Sequence, residues 1–229
     1  MMYQLTAAVF DMDGTLLDSS AMWAEVSPAV VRQFGAEPRP SIYRDMLPLG
    51  MREFAPRLKA DYGLEPPVEE IARAIEAKVE RYYFEEAALK PGALAFLRAL
   101  KAAGVGIALA TATDRRLLEP ALARTGALPL LDAVFTCGEV GAGKHEPTIF
   151  RRAAEALGAP KAETWVFEDA LYAIETARAD GFPVCAVADA QTGFQWDAIR
   201  AAATCALEDF RQWRQLPFAN RAAVREAAP

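Results

Sequence analysis

Four short runs of consecutive apolar residues constrain this chain more than any other feature. They are "AAVF" ending at Phe10, "VGIALA" from Val105 to Ala110, "TWVF" from Thr164 to Phe167 and "FPVCAVA" from Phe182 to Ala188. A strand with one wet face alternates apolar and polar residues, whereas a strand covered on both faces is apolar throughout, as central strands of a parallel sheet are. "DAVFTC", Asp132 to Cys137, is a weaker fifth candidate. Between the runs lie segments of helical spacing. "PGALAFLRALKAAG" opens at Pro91, repeats apolar residues every three or four positions and stops at Gly104. "DRRLLEPALARTG", "PTIFRRAAEALG" and "DALYAIETARADG" show the same pattern, each closing on glycine. Strands alternating with helices of this length predict right-handed crossovers and a doubly wound, mostly parallel α/β core.

The alternation stops between Ser19 and Ala88. There "SSAMWAEVSPAVVRQFG", "GMREFAPRLKADYG" and "VEEIARAIEAKVERYYFEEA" are all helical in pattern, punctuated by Pro38, Pro40, Pro48, Pro66 and Pro67. The expected organisation is a core of residues 1–18 and 89–229 with a smaller all-helical domain, 19–88, inserted after the first strand. Met22, Trp23 and Phe54 are expected to build the core of that insertion, and the final "AAVREAAP" reads as a helical or frayed tail.

With 229 residues, 53% hydrophobic and 24% charged, the chain can build a sizeable core and is neither disordered nor fibrous. A net charge of -6 argues against a general nucleic-acid or membrane-surface binder, which needs clustered Lys and Arg. Cys137, Cys185 and Cys205 are odd in number and widely spaced, and read as reduced thiols. No apolar span reaches the roughly 20 residues of a membrane helix and no leader pattern opens the chain, so a cytoplasmic protein is expected, as a monomer or weak homodimer.

In an open parallel sheet, ligands bind beyond the carboxyl ends of the strands. The residues just after the apolar runs are Asp11 and Asp13, Thr111 and Thr113, and Glu168 and Asp169, while Lys144 lies in the glycine-rich "GEVGAGKHEPTIF". Four carboxylates converging in one crevice repel unless a cation joins them, and oxygen-only ligation suits Mg²⁺ with a substrate phosphate. Asp11 could then attack phosphorus and form an aspartyl-phosphate, with Asp13 protonating the leaving oxygen and later deprotonating water. Gly14 would let main-chain N–H groups face the phosphoryl oxygens, Thr111 would donate a hydrogen bond, and Lys144 would neutralise charge. Simpler roles exist for some of these. Glu168 and Asp169 also suit a helix N-terminus, and Thr111 or Thr113 could cap the helix near Asp114.

"DMDGT", Thr111 after an apolar strand, Lys144 in "GKHEP" and "FEDALYAIETARADG" together resemble the four ordered motifs of the haloacid-dehalogenase-like superfamily. The resemblance spans nearly the whole chain, and the helical insertion looks like the cap of the subgroup containing phosphoglycolate phosphatase and β-phosphoglucomutase. It implies a Rossmann-like core, Asp11 as nucleophile, Asp13 as general acid/base, Thr111 and Lys144 as phosphate ligands, and Mg²⁺ held by Asp11, Asp169, Glu168 and the backbone carbonyl of Asp13. Dehalogenases and phosphonate hydrolases of the family depart at the second aspartate, so Asp13 favours phosphoryl transfer. The β-phosphoglucomutases carry a cap histidine where this chain has Trp23, and the single histidine here, His145, comes directly after the motif lysine.

The expected function is a Mg²⁺-dependent phosphatase of a small phosphorylated metabolite such as a sugar phosphate, with Arg52 and Lys78 as candidate substrate contacts from the insertion. A phosphomutase is the first alternative. A non-catalytic phospho-ligand-binding or regulatory protein is the second.

Overall fold

A computed structural model of the chain describes residues 4–46 and 51–218, with only the helical backbone given for Met51 and Arg52. Pro48, Gly50 and the tail "AAVREAAP" lie outside the described residues, and so does the Arg52 side chain. The chain divides into two compact units, Met1–Asp18 with Ala88–Pro229, and Ser19–Ala87. The second boundary falls one residue earlier than the sequence pattern placed it. Ala88 is tied into the first unit, because its carbonyl accepts from Asp18 N–H at 2.9 Å.

The first unit is built on six parallel strands: β1 Ala7–Phe10, β2 Gly106–Thr111, β3 Ala133–Thr136, β4 Thr164–Glu168, β5 Val184–Val187 and β6 Cys205–Leu207. Their order across the sheet is β3-β2-β1-β4-β5-β6. In register, Phe10 lies beside Leu109 of β2 on one side and Phe167 of β4 on the other. The chain therefore winds outward from β1 in one direction, then returns to β1's other edge at β4 and winds the other way. The strands beside that reversal carry the ligand-binding crevice in folds of this kind. All five expected strands form, within a residue or two of the apolar runs. β6 was not expected, because "CAL" is three residues long with a fully buried position only at Leu207.

The all-helical unit contains α1 Ser20–Gln33, α2 Ile42–Met46, α3 Met51–Tyr62 and α4 Val68–Arg81, the last running into a wide turn at Tyr82–Glu86. α4 buries Ile71, Ile75 and Val79, spaced four apart along one face. Trp23 packs edge-on to Phe54 and to Tyr83, and its indole N–H donates to the Tyr83 hydroxyl at 3.2 Å. Phe54 is buried in this unit's core, while Met22 and Trp23, expected there with it, are only half-buried.

The remaining helices flank the sheet: α5 Ala93–Ala102, α6 Arg115–Arg124, α7 Cys137–Val140, α8 Thr148–Ala156, α9 Leu171–Ala179 and α10 Trp196–Ala202. Because side chains alternate along a strand, β1 sends Val9 to one face and Phe10 to the other. Val9, Val166 and Val184 meet Ile149 and Phe150 of α8, Ile174 of α9 and Ile199 of α10. On the other face Phe10 stacks on Phe167 at 4.4 Å, with Phe96 of α5 edge-on to both. Two covered faces leave β1 and β4 rigid, so the residues at their carboxyl ends are held firmly in place.

Candidate active site

β1 ends at Phe10, and Asp11 N–H donates to the Phe167 carbonyl at 3.0 Å, extending the pairing with β4 by one step. That bond fixes Asp11 at the carboxyl edge beside Glu168, the last residue of β4. The Lys144 ammonium bridges them: it donates to Asp11 Oδ1 and, at 2.6 Å, to Glu168 Oε1. All three side chains are buried. The other Glu168 oxygen, Oε2, accepts the N–H groups of Asp169 and Ala170, each at 3.0 Å. Both oxygens of Glu168 are therefore engaged, one holding the lysine and one ordering the turn into α9.

Asp169 is buried and its Oδ1 accepts from the Thr15 hydroxyl at 2.9 Å. Asp11, Glu168 and Asp169 each place one oxygen within 4.8 Å of the other two. Burial pushes the Asp11 carboxyl up to about 7; Lys144 opposes this, while Glu168 and Asp13 add to it. Burial likewise holds Asp169 well above the usual carboxylate range, reinforced by the charges of Glu168 and Asp11. Burial pulls Lys144 downward, but Asp11 and Glu168 outweigh it and the ammonium is held above its ordinary value. One lysine thus faces three buried acids, and the excess negative charge adds to burial in raising two of them. The donor set is oxygen-only and charge-deficient by at least one cation, which fits a hard divalent ion.

Gly14 turns the backbone sharply, as expected, and also serves the site sterically. Its N–H is spent on the Leu17 carbonyl at 3.1 Å, so it does not face a ligand. A glycine is required there on two counts: its φ is +80°, and a Cβ would lie 2.6 Å from Asp169 Oδ2. The absent side chain is what lets Asp169 approach the Asp11–Asp13 loop.

Thr111 ends β2, buried, and its Oγ1 accepts from Thr113 N–H at 3.0 Å, which leaves the Thr111 hydroxyl proton available. Neither threonine caps α6; that position belongs to Asp114, whose side chain makes no capping bond. The Thr113 hydroxyl instead donates to Asp13 Oδ2 at 2.6 Å. Asp13 is half-buried and stands apart from the three-acid cluster by its side chain. Thr15 is a site residue that sequence reasoning left without a role, and Thr113, expected only as a possible helix cap, orients Asp13 instead. Lys78 is half-buried in the last turn of α4, in the helical unit.

A third contact borders the cluster. His145, next to Lys144, stacks on Tyr172 of α9 with ring centroids 4.3 Å apart and planes 25° apart. Burial and the charge of Glu168 hold the Tyr172 phenol above its usual range, with Asp11 and Asp169 acting in the same direction.

A doubly wound parallel sheet with a buried lysine and acids gathered where the winding reverses defines a class: an α/β enzyme that works on an anionic group at the strand ends. Within that class, the chain belongs to the haloacid dehalogenase-like hydrolases, whose family model matches residues 5–181. A probable pseudouridine-5'-phosphatase of Drosophila melanogaster is 30% identical over 214 residues, 91% of this chain and 92% of its own. A phosphorylated carbohydrates phosphatase of Thermotoga maritima is 26% identical over 177 residues, 77% of this chain and 82% of its own. Among solved structures, CbbY of Rhodobacter sphaeroides in complex with xylulose-1,5-bisphosphate superposes with a TM-score of 0.74 at 25% identity, covering 90% of this chain and 95% of that one. No helix of the described residues is long and apolar enough to cross a membrane.

Proposed function

We propose that the protein is a Mg²⁺-dependent phosphatase acting on a small phosphorylated metabolite through an aspartyl-phosphate. The observation that carries this reading is the buried Asp11–Lys144–Glu168 bridge beside Asp169, an arrangement that gathers a candidate nucleophile, a lysine for an incoming anion and acids for a cation at the strand ends. Named phosphatases of phosphorylated carbohydrates and of pseudouridine 5'-phosphate among the relatives support it.

In this reading Asp11 and Asp169 would hold the Mg²⁺ with the backbone carbonyl of Asp13. Glu168 anchors Lys144 and orders the turn into α9, and with an oxygen in the same cluster it is a further candidate ligand. When bound, the cation supplies charge neutralisation for the carboxylates and for the phosphoryl oxygens. The Asp11 carboxylate attacks phosphorus, and the bond from phosphorus to the ester oxygen breaks. Asp13 gives its proton to that oxygen, releasing an alcohol. A water then passes a proton to Asp13 as its oxygen attacks phosphorus, freeing the Asp11 carboxylate and inorganic phosphate. Lys144 and the Thr111 hydroxyl neutralise and orient the phosphoryl oxygens throughout.

The test is phosphate release from a panel of phosphorylated metabolites with Mg²⁺, comparing the wild type with Asp11→Asn. Release that disappears in the variant supports the reading. No release from any substrate, or turnover that survives the substitution, would sink it. Following sugar-phosphate isomers in the same assay separates a phosphomutase, which would isomerise faster than it frees phosphate.

A further inference from the structure

His145 and Tyr172 take no part in the proposed phosphoryl transfer, yet each lies close in sequence to a residue that does. His145 comes directly after Lys144, and Tyr172 sits three residues after Asp169 in the first turn of α9. Neither belongs to the packed core. His145 is exposed, and Tyr172 is 42% exposed, one of few large aromatic side chains left so open among the described residues. The two rings nonetheless stack, 4.3 Å apart and 25° from parallel. Lys144 and Asp169, the site residues they follow in the chain, are both buried in the cluster. The pair therefore forms an aromatic wall joining the segment of Lys144 to the first turn after Asp169, at the rim of the phosphoryl site.

We propose that this wall selects the leaving group, taking a planar unsaturated ring on its open π faces in preference to a saturated one. The proposal rests on the phosphatase reading for what the site binds. A stacked pair presents a preformed surface with little rotamer freedom left to lose, and ring-on-ring contact adds to simple burial, whereas a saturated chain gains only the burial. The phosphoryl group, held by Lys144, fixes where the leaving group emerges, so a wall one residue beyond that lysine meets it.

The experiment is calorimetric binding of phenylphosphonate and propylphosphonate, whose carbon–phosphorus bonds a phosphatase does not cut, in Mg²⁺ buffer. Wild type, Tyr172→Phe, Tyr172→Leu and His145→Ser are compared. Wild type should prefer the phenyl ligand by roughly three- to tenfold. Tyr172→Phe should keep that preference, while Tyr172→Leu and His145→Ser should lose most of it. Equal affinity for both ligands in the wild type, or parallel weakening of both in the variants, overturns the proposal. Selective binding with no phosphate release from phenyl phosphate or from any member of the metabolite panel would instead overturn the phosphatase reading and leave the aromatic wall standing.

Discussion

The Thr113 hydroxyl donates to Oδ2 of Asp13 at 2.6 Å, so the proposed acid/base is oriented from β2 although it stands on the loop after β1. Thr113 is itself held by its N–H on Thr111 Oγ1, which makes the two threonines one rigid bracket. Removing the donor should leave Asp13 present but unaimed. Thr113→Val is expected to lower kcat about tenfold, a fraction of what a full general acid supplies, with KM nearly unchanged. Thr113→Ser should restore most of the loss. The decisive comparison is between leaving groups: an aliphatic phosphate, whose alkoxide needs a proton, should lose more than p-nitrophenyl phosphate. An equal loss on both substrates would assign Thr113 a merely structural role.

Lys144 joins two buried carboxylates, and deleting it strands both. Lys144→Met should abolish turnover and destabilise the fold by about 3 kcal/mol, the usual scale for unpairing a buried charge. Adding Glu168→Gln should recover part of that stability without recovering activity, because one of the stranded charges is gone. Urea unfolding of the four proteins of this cycle at pH 8 measures the coupling. Simple additivity of the two substitutions would show that the bridge is not an energetic unit.

Gly14→Ala meets two obstacles at once. Left-handed backbone costs a residue with a Cβ about 1 to 2 kcal/mol, and the new carbon would lie 2.6 Å from Asp169 Oδ2. Asp169 must move, so the expected outcome is a lowered Tm together with a Mg²⁺ requirement raised on the order of tenfold, the scale seen when residues supporting a metal ligand are disturbed. A Mg²⁺ titration of activity checks it. Lost stability with an unchanged Mg²⁺ requirement would separate Asp169 from the cation.

Much of this architecture was legible because burial on both faces writes itself as unbroken apolar runs. β1, β2, β4 and β5 were all visible in that way, and the residues immediately after them are those the sheet gathers. β6 was not legible, since three residues at a sheet edge carry too short a pattern. The partners of Glu168, Gly14 and Thr113 were not legible for a common reason. Residue type and position show that an acid, a glycine or a hydroxyl stands at the site, but partner choice depends on distances across 24 to 154 positions of chain. The helical unit was legible as helices through Ile71, Ile75 and Val79, whereas nothing in that spacing decides whether Lys78 meets a substrate or stays a solvated charge.

Asp11 supplies a pH prediction that is independent of turnover. Its carboxyl is held at about 7 against 3.8 for the ordinary group, chiefly by burial. Because the folded value lies above the unfolded one, the protonated form contributes stability that is complete below about pH 3.8 and is lost as pH rises through about 7. Asn at this position stays neutral at every pH. In EDTA, Asp11→Asn should therefore lead the wild type by about 1.5 kcal/mol at pH 5 and by about 4 kcal/mol at pH 8, the lead widening as pH rises between them. A divalent cation that binds the folded state stabilises it by mass action and favours the ionised carboxylate, so saturating Mg²⁺ should shrink or reverse the difference at pH 8. Chemical denaturation at pH 5, 6, 7 and 8, with EDTA and with Mg²⁺, resolves each arm. A difference that stays constant across pH in EDTA would mean that Lys144 keeps Asp11 ionised throughout, and that the carboxylate is ready for attack before any cation arrives.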